Sequence, residues 1–335
     1  MSETIEKAKK YIAEENYKEA LKIARKNHGK DNITTYINIL NLLIDEEYLP
    51  ALEEKGMYYQ YYDKTHDNGD YGEKYFDLYL EKQPRSINVL CDKALSRFNK
   101  GHVTEALEYM DKAYDKYKSY SQIEKPRIKK KEVLMAKIEL QIQAEQYSAA
   151  LSNLNKYENQ YNIDEKVLLY KGQMLQKTGE NREAIDYLNK SLENEDTLLA
   201  LNSKGDALYD LKEYNKALNI YDRCIKYEKT AEDDLKLVTN FNYKAGFCCV
   251  NLGDDQKAVK YLNKTINMLN EHGRLPNDLE SIYQKCSFEK ERILKSGDVQ
   301  DEEFSKSHFL NVKTSIYILV VVLVLYLLLR LLGYN

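Results

Sequence analysis

The chain has 335 residues, 31% of them charged, and its 50 basic against 54 acidic residues leave a formal net charge of only −4. That balance lacks the basic excess that marks a nucleic-acid-binding surface, so no nucleic-acid partner is expected. Thirteen glycines, four prolines and no tryptophan exclude collagen-like, proline-rich and propeller architectures.

In chain order, Met1 to Asn16 is helical in composition, and with Glu3, Glu6, Lys7, Lys9 and Lys10 it has no apolar core of the kind a secretory signal needs. From there onward apolar residues recur at three- and four-residue spacing, which predicts helices throughout. Ala8 and Ala20 stand on the first and second helix of a predicted hairpin, twelve residues apart. Asn32 to Ile44 places Ile33, Ile37, Leu40 and Ile44 on one stripe and predicts a degenerate hairpin, followed by a weaker copy around Gly69-Asp-Tyr71-Gly-Glu, with Pro84 after it. The twelve-residue spacing then returns five times, in Ala94/Ala106, Ile138/Ala150, Gly172/Ala184, Gly205/Ala217 and Gly246/Ala258. These last anchor alanines follow one another at 44, 34, 33 and 41 residues, and Ser119 to Lys131 and Thr230 to Val238 account for the two longer gaps. Asn277 to Lys295, with Leu279, Ile282, Tyr283 and Cys286 on one side, predicts a capping helix, as a stacked array needs at its end.

The tail has a different character. Residues 296–312 form an acidic tether through Asp298, Asp301, Glu302 and Glu303. Between Ile316 and Leu332, 16 of 17 residues are apolar, a stretch of roughly 25 Å as a helix. Lys313 and Arg330 sit near its two ends, where long cationic side chains extend the usable span. A transmembrane helix over residues 313–333 is expected, with the preceding residues on the cytoplasmic side.

Six hairpins in one frame resemble the tetratricopeptide repeat, a helix-turn-helix unit of about 34 residues. The resemblance rests on Gly172, Gly205 and Gly246 in first helices, on Tyr17, Tyr147 and Tyr214 three residues before their anchor alanines, and on Leu154, Leu188, Tyr221 and Leu262 four after. The family's tryptophan is absent. What the resemblance implies is an all-α, right-handed helical-hairpin solenoid: a repeat array of about seven hairpins over residues 1–275, one or two degenerate, and a capping helix over 276–295. It also implies a concave groove lined by first helices. Carried onto the three best repeats, that geometry directs Lys166, Tyr170 and Gln173, then Asn202, Asp206 and Tyr209, then Asn240, Tyr243, Lys244 and Phe247 toward a protein or peptide partner. A terminal carboxylate is a poor fit, because Asp206 sits where a donor is needed.

Chemistry-bearing motifs are missing. There is no phosphate-binding loop, dinucleotide fingerprint, H-E-x-x-H or G-x-S-x-G. His28, His66, His102, His272 and His308 are scattered and read as solvated. Cys91, Cys224, Cys248, Cys249 and Cys286 form no C-x-x-C pair and have no histidine at zinc spacing, so they read as core-filling free thiols in a reducing compartment. The basic run Lys125 to Lys131 reads as a solvated loop and helix start, with anionic lipid or an acidic partner as the alternative. Neither enzyme activity, metal nor cofactor is expected. The expected role is a membrane-anchored scaffold or receptor, with the membrane contacted through Ile316 to Leu332. An accessory subunit of a larger membrane-associated complex and a self-associating structural protein remain open.

Overall fold

The computed structural model describes residues 3–29, 32–63, 70–117, 126–193, 196–227 and 234–296, and among these every regular element is helical. The chain falls into two compact units, residues 1–162 and 163–335. The array expected over 1–275 is thus divided near its middle.

The first unit holds α1 (Glu3–Ala13), α2 (Tyr17–Lys26), α3 (Ile33–Asp45), α4 (Leu49–Tyr61), α5 (Asp70–Lys82), α6 (Ile87–Asn99), α7 (Val103–Lys116), α8 (Lys130–Gln143) and α9 (Tyr147–Gln160). The second holds α10 (Glu165–Lys177), α11 (Asn181–Ser191), α12 (Leu198–Asp210), α13 (Tyr214–Lys226), α14 (Leu235–Leu252), α15 (Asp255–Asn270) and α16 (Asn277–Ser296). Six helix pairs, α1/α2, α6/α7, α8/α9, α10/α11, α12/α13 and α14/α15, pack as hairpins, and α16 lies against α14 and α15.

One local rule builds these hairpins. The anchor alanines Ala20, Ala106, Ala150, Ala184, Ala217 and Ala258 are all fully buried, and the chain reverses five residues before each. At that place the backbone is left-handed: Gly101, Gly179 and Gly253 take φ of 82°, 90° and 72°, while Glu15, Glu145 and Lys212 take 55°, 57° and 60°. A left-handed residue ends one helix and frees the chain to start the next. Close approach of the paired helices needs small residues, since a Cβ on Gly172 would lie 2.6 Å from Leu188 and one on Gly205 2.6 Å from Tyr221. Side-chain caps start several helices, with Asp164 accepting from the Val167 N–H at 3.0 Å and Asp234 from the Leu237 N–H at 3.0 Å.

Between α2 and α6 the pattern differs from a degenerate hairpin followed by a weak copy. The α3–α4 turn carries a left-handed residue of its own, Glu47 (φ 56°), yet α4 packs most closely on α5. There Gly56 and Gly72 bring the helices so near that a Cβ on Gly72 would lie 2.8 Å from the Gly56 carbonyl, and a Cβ on Gly56 2.6 Å from Phe76. Three helices share one segment because α4 has a partner on each side.

Among the described residues no helix is long and apolar enough to cross a membrane. The expected span over 313–333, with Ile316 to Leu332, and the tether beyond Ser296 lie outside the described residues.

Candidate functional site

The ten residues assigned to a partner all lie in the second unit, on the first helices α10, α12 and α14. Counted from the small residue of each helix (Gly172, Gly205, Gly246), they occupy a few recurring places. Lys166 and Asn240 stand six before it, Asn202 and Tyr243 three before, Tyr170 and Lys244 two before, Gln173, Asp206 and Phe247 one after, and Tyr209 four after. Helical spacing puts these places on one face.

The structure joins half of them into one network. Asn240 Nδ2 donates to Asn202 Oδ1 at 3.1 Å and to Asp206 Oδ1 at 3.2 Å. Lys244 Nζ lies 3.0 Å from Asp206 Oδ1 and 5.3 Å from the centre of the Tyr209 ring. The Tyr221 hydroxyl donates to Asp206 Oδ1 at 2.8 Å. Asp206 is therefore buried and saturated by the protein itself, so it forms the floor of the face. Its effect on anything bound there runs through Lys244 and Asn240, which it holds in place. These bonds engage Asn240 Nδ2 and Asn202 Oδ1.

The remaining five are arranged more loosely. Gln173 Nε2 donates to Ser203 Oγ at 3.3 Å, a bond from α10 to α12. Lys166 is exposed and its ammonium lies 5.5 Å from the Tyr170 ring centre. Tyr243 and Phe247 pack with ring centres 4.9 Å apart, both half-buried against the core around Cys249 and Leu262. Burial, reinforced by Tyr243, pushes the Tyr209 hydroxyl up to about 12, and burial also raises that of Tyr243. Both rings stay neutral at physiological pH and present apolar faces with a donor at the tip.

Two bonding partners of the face were not among its predicted residues, Ser203 and Tyr221. Tyr221 was legible as a packing residue four after Ala217, but its hydroxyl reaches across to α12, which spacing alone does not disclose.

Residues 199–230 match the family model for the tetratricopeptide repeat. The chain carries a tetratricopeptide repeat. The matched stretch runs from α12 through α13, the hairpin that holds the Asp206–Tyr221 bond. Several solved structures are similar at low identity. One is YrrB, described as a TPR protein with an unusual peptide-binding site, at 19% identity over 59% of this chain and 93% of that one, with a TM-score of 0.42. Another is a tetratricopeptide repeat protein from Parabacteroides merdae, at 14% identity over 85% of this chain and 98% of that one, TM-score 0.45. A third is the Cut9–Hcn1 hetero-tetramer of the APC/C, at 13% identity over 81% and 49%, TM-score 0.46. No curated protein matches the sequence significantly.

The other residues singled out by sequence are placed as follows. All five cysteines are free and buried, and burial pushes Cys224, Cys248 and Cys286 up to about 12 and Cys249 up to about 11. His102 and His272 are exposed. His28 is half-buried, against expectation, with its ring 4.4 Å from Tyr62 and 5.0 Å from Tyr36. His66 and His308 lie outside the described residues. Among the described residues no cluster could hold a metal ion. The basic run is not simply solvated: Arg127 pairs with Glu53 and Asp92, each at 2.7 Å.

Proposed function

We propose that the protein is a non-catalytic scaffold or receptor, anchored by residues 313–333 in a membrane and presenting the α10–α12–α14 face to a protein or peptide partner in the cytoplasm. The observation that carries this reading is the combination of half-buried rings, Tyr209, Tyr243 and Phe247, with the amide of Asn240 held by Asp206 and that of Asn202 held by Asn240. Rings bury partner side chains, and oriented amides bond a main chain without choosing its sequence. Holding a partner at a bilayer raises its effective concentration there, which is all that such a protein needs to do for assembly or transport. The apolar run Ile316 to Leu332 supports the anchor.

Proximity labelling from the N-terminus in the native cell, comparing the full-length chain with one ending at Ser307, tests both halves. A small partner set that requires the tail, and that is lost with Tyr243→Ala plus Phe247→Ala, is expected. Labelling of the same set without the tail would overturn the receptor reading. Labelling only of the chain itself would replace it with self-assembly.

A further inference from the structure

Arg127 lies in the connection from α7 to α8, outside any helix. Its guanidinium Nη2 sits 2.7 Å from Glu53 Oε1 on α4 and 2.7 Å from Asp92 Oδ2 on α6. Its Nη1 is 3.4 Å from Met57 Sδ, and its backbone N–H donates to Asn88 Oδ1 at 2.9 Å. One residue is thus held by an amide on its main chain and by two carboxylates and a thioether on its side chain.

The places of these four partners matter. On α6, Asn88 stands six residues before the small Ala94, and Asp92 two before; on α4, Glu53 stands three before Gly56, and Met57 one after. They are the places that Asn240, Lys244, Asn202 and Asp206 occupy in the second unit. Arg127 therefore lies on the first-helix face of the first unit, on the register positions assigned to a foreign ligand in the second. The Glu53 and Asp92 side chains are only 15% and 11% exposed, whereas that of Arg127 is 46% exposed. The two carboxylates are thus largely buried, while the side chain between them is half exposed.

We infer that the first-helix face of the first unit is a guanidinium-binding surface for an arginine-bearing peptide, and that Arg127 fills it in cis. Charge supports the choice of partner. Both carboxylates face the one guanidinium, and an arginine, more weakly hydrated than a lysine ammonium, is the cation suited to such largely buried acids. An incoming arginine must first displace Arg127, so affinity in the intact protein is set by the difference between the two.

The test measures fluorescence anisotropy of a labelled Pro-Arg-Ile-Lys-Lys-Lys peptide, the sequence of residues 126–131, against the full-length chain in detergent. Its control is the same peptide with citrulline in place of arginine. Arg127→Ala should bind the arginine peptide about tenfold tighter than the unaltered chain, or more, the worth of one charge-assisted hydrogen bond. Adding Glu53→Gln and Asp92→Asn should abolish the gain. Equal binding of the citrulline peptide, or no gain in Arg127→Ala with helix content intact by circular dichroism, overturns the inference. If Arg127→Ala loses helix content, the unaltered chain decides: excess arginine peptide should speed hydrogen exchange of the Arg127 N–H held by Asn88. Exchange that the arginine peptide leaves unchanged counts equally against the surface.

Discussion

Asp206 shows what a single buried carboxylate does in a repeat. It is 7% exposed and accepts from Tyr221, Asn240 and Lys244, tying α12 to its own hairpin partner and to the next first helix. Removing it strands the Lys244 ammonium, whose side chain is only 18% exposed, and orphans the Tyr221 hydroxyl. Asp206→Ala should therefore cost about 2–4 kcal/mol, and Asp206→Asn, which keeps an acceptor, less; the midpoints of urea unfolding measure both. Glu53 is a titrating residue of the first unit. Burial raises its carboxyl to about 7, with Asp92 and Glu54 adding to the rise and Arg127 and Arg25 opposing it. A raised folded-state value means that the folded chain holds a proton that the unfolded chain releases. The stability this contributes is present at low pH and lost as pH rises through about 7. Unfolding free energy measured from pH 5 to 8 should fall with pH, and Glu53→Gln should flatten the decline.

At the scale of helices and turns, sterics and propensity oppose each other and their magnitudes decide. An alanine is favoured over glycine inside a helix by about 1 kcal/mol, but at Gly172 its Cβ would meet Leu188 at 2.6 Å, and overpacking costs about 1–3 kcal/mol. At Gly246 the nearest atom is 3.1 Å away. Gly172→Ala should thus lower the thermal midpoint while Gly246→Ala leaves it nearly unchanged. In the turns, Glu145 and Lys212 take the left-handed conformation that Gly101, Gly179 and Gly253 adopt freely. Glu145→Gly should stabilise by about 0.5–1 kcal/mol and Gly179→Ala destabilise by at least as much, as urea midpoints would register. The six regular hairpins were legible because a twelve-residue spacing from a small or apolar residue to the anchor alanine is a local rule. The α3–α5 segment was not, since twelve residues after Gly56 the sequence has Asn68 in place of the anchor alanine, and sixteen after it Gly72 in place of the usual leucine or tyrosine. Of the candidate site, the face was legible from the three- and four-residue spacing, but the burial of Asp206 was not: nothing in its own repeat shows that Lys244 and Asn240 reach it from the next. Arg127 was missed for the same reason. A run of cations displays its charge, whereas its acidic partners stand 35 and 74 residues earlier in the chain.

For the whole molecule, the division into two units leads to the prediction that residues 163–296 fold without the rest. That fragment contains three hairpins and the closing helix α16, and stacked repeats draw their stability from nearest neighbours. It should keep its helical circular dichroism and unfold cooperatively; a broad, non-cooperative melt would show that the boundary after Asn162 is not one of stability. The thiols report on the same event. All five are buried, and burial holds Cys248 near 12 and Cys249 near 11, so a thiol reagent at pH 8 should label them at the rate of opening rather than of chemistry.

Arg127 also has a consequence in time. The hydrogen bonds that assemble the second unit's face join residues at most 38 apart, so each forms as soon as two adjacent helices meet. The reach of Arg127 to Met57 spans 70 residues, and it can close only after α4 and α6 are already stacked, since its ligands come from both. Contacts of long sequence separation are entropically expensive to form early. This one therefore belongs to the native side of the folding barrier. Replacing Arg127 should leave the refolding rate unchanged and quicken unfolding instead, making this half-exposed side chain a brake on the loss of structure with no part in its acquisition.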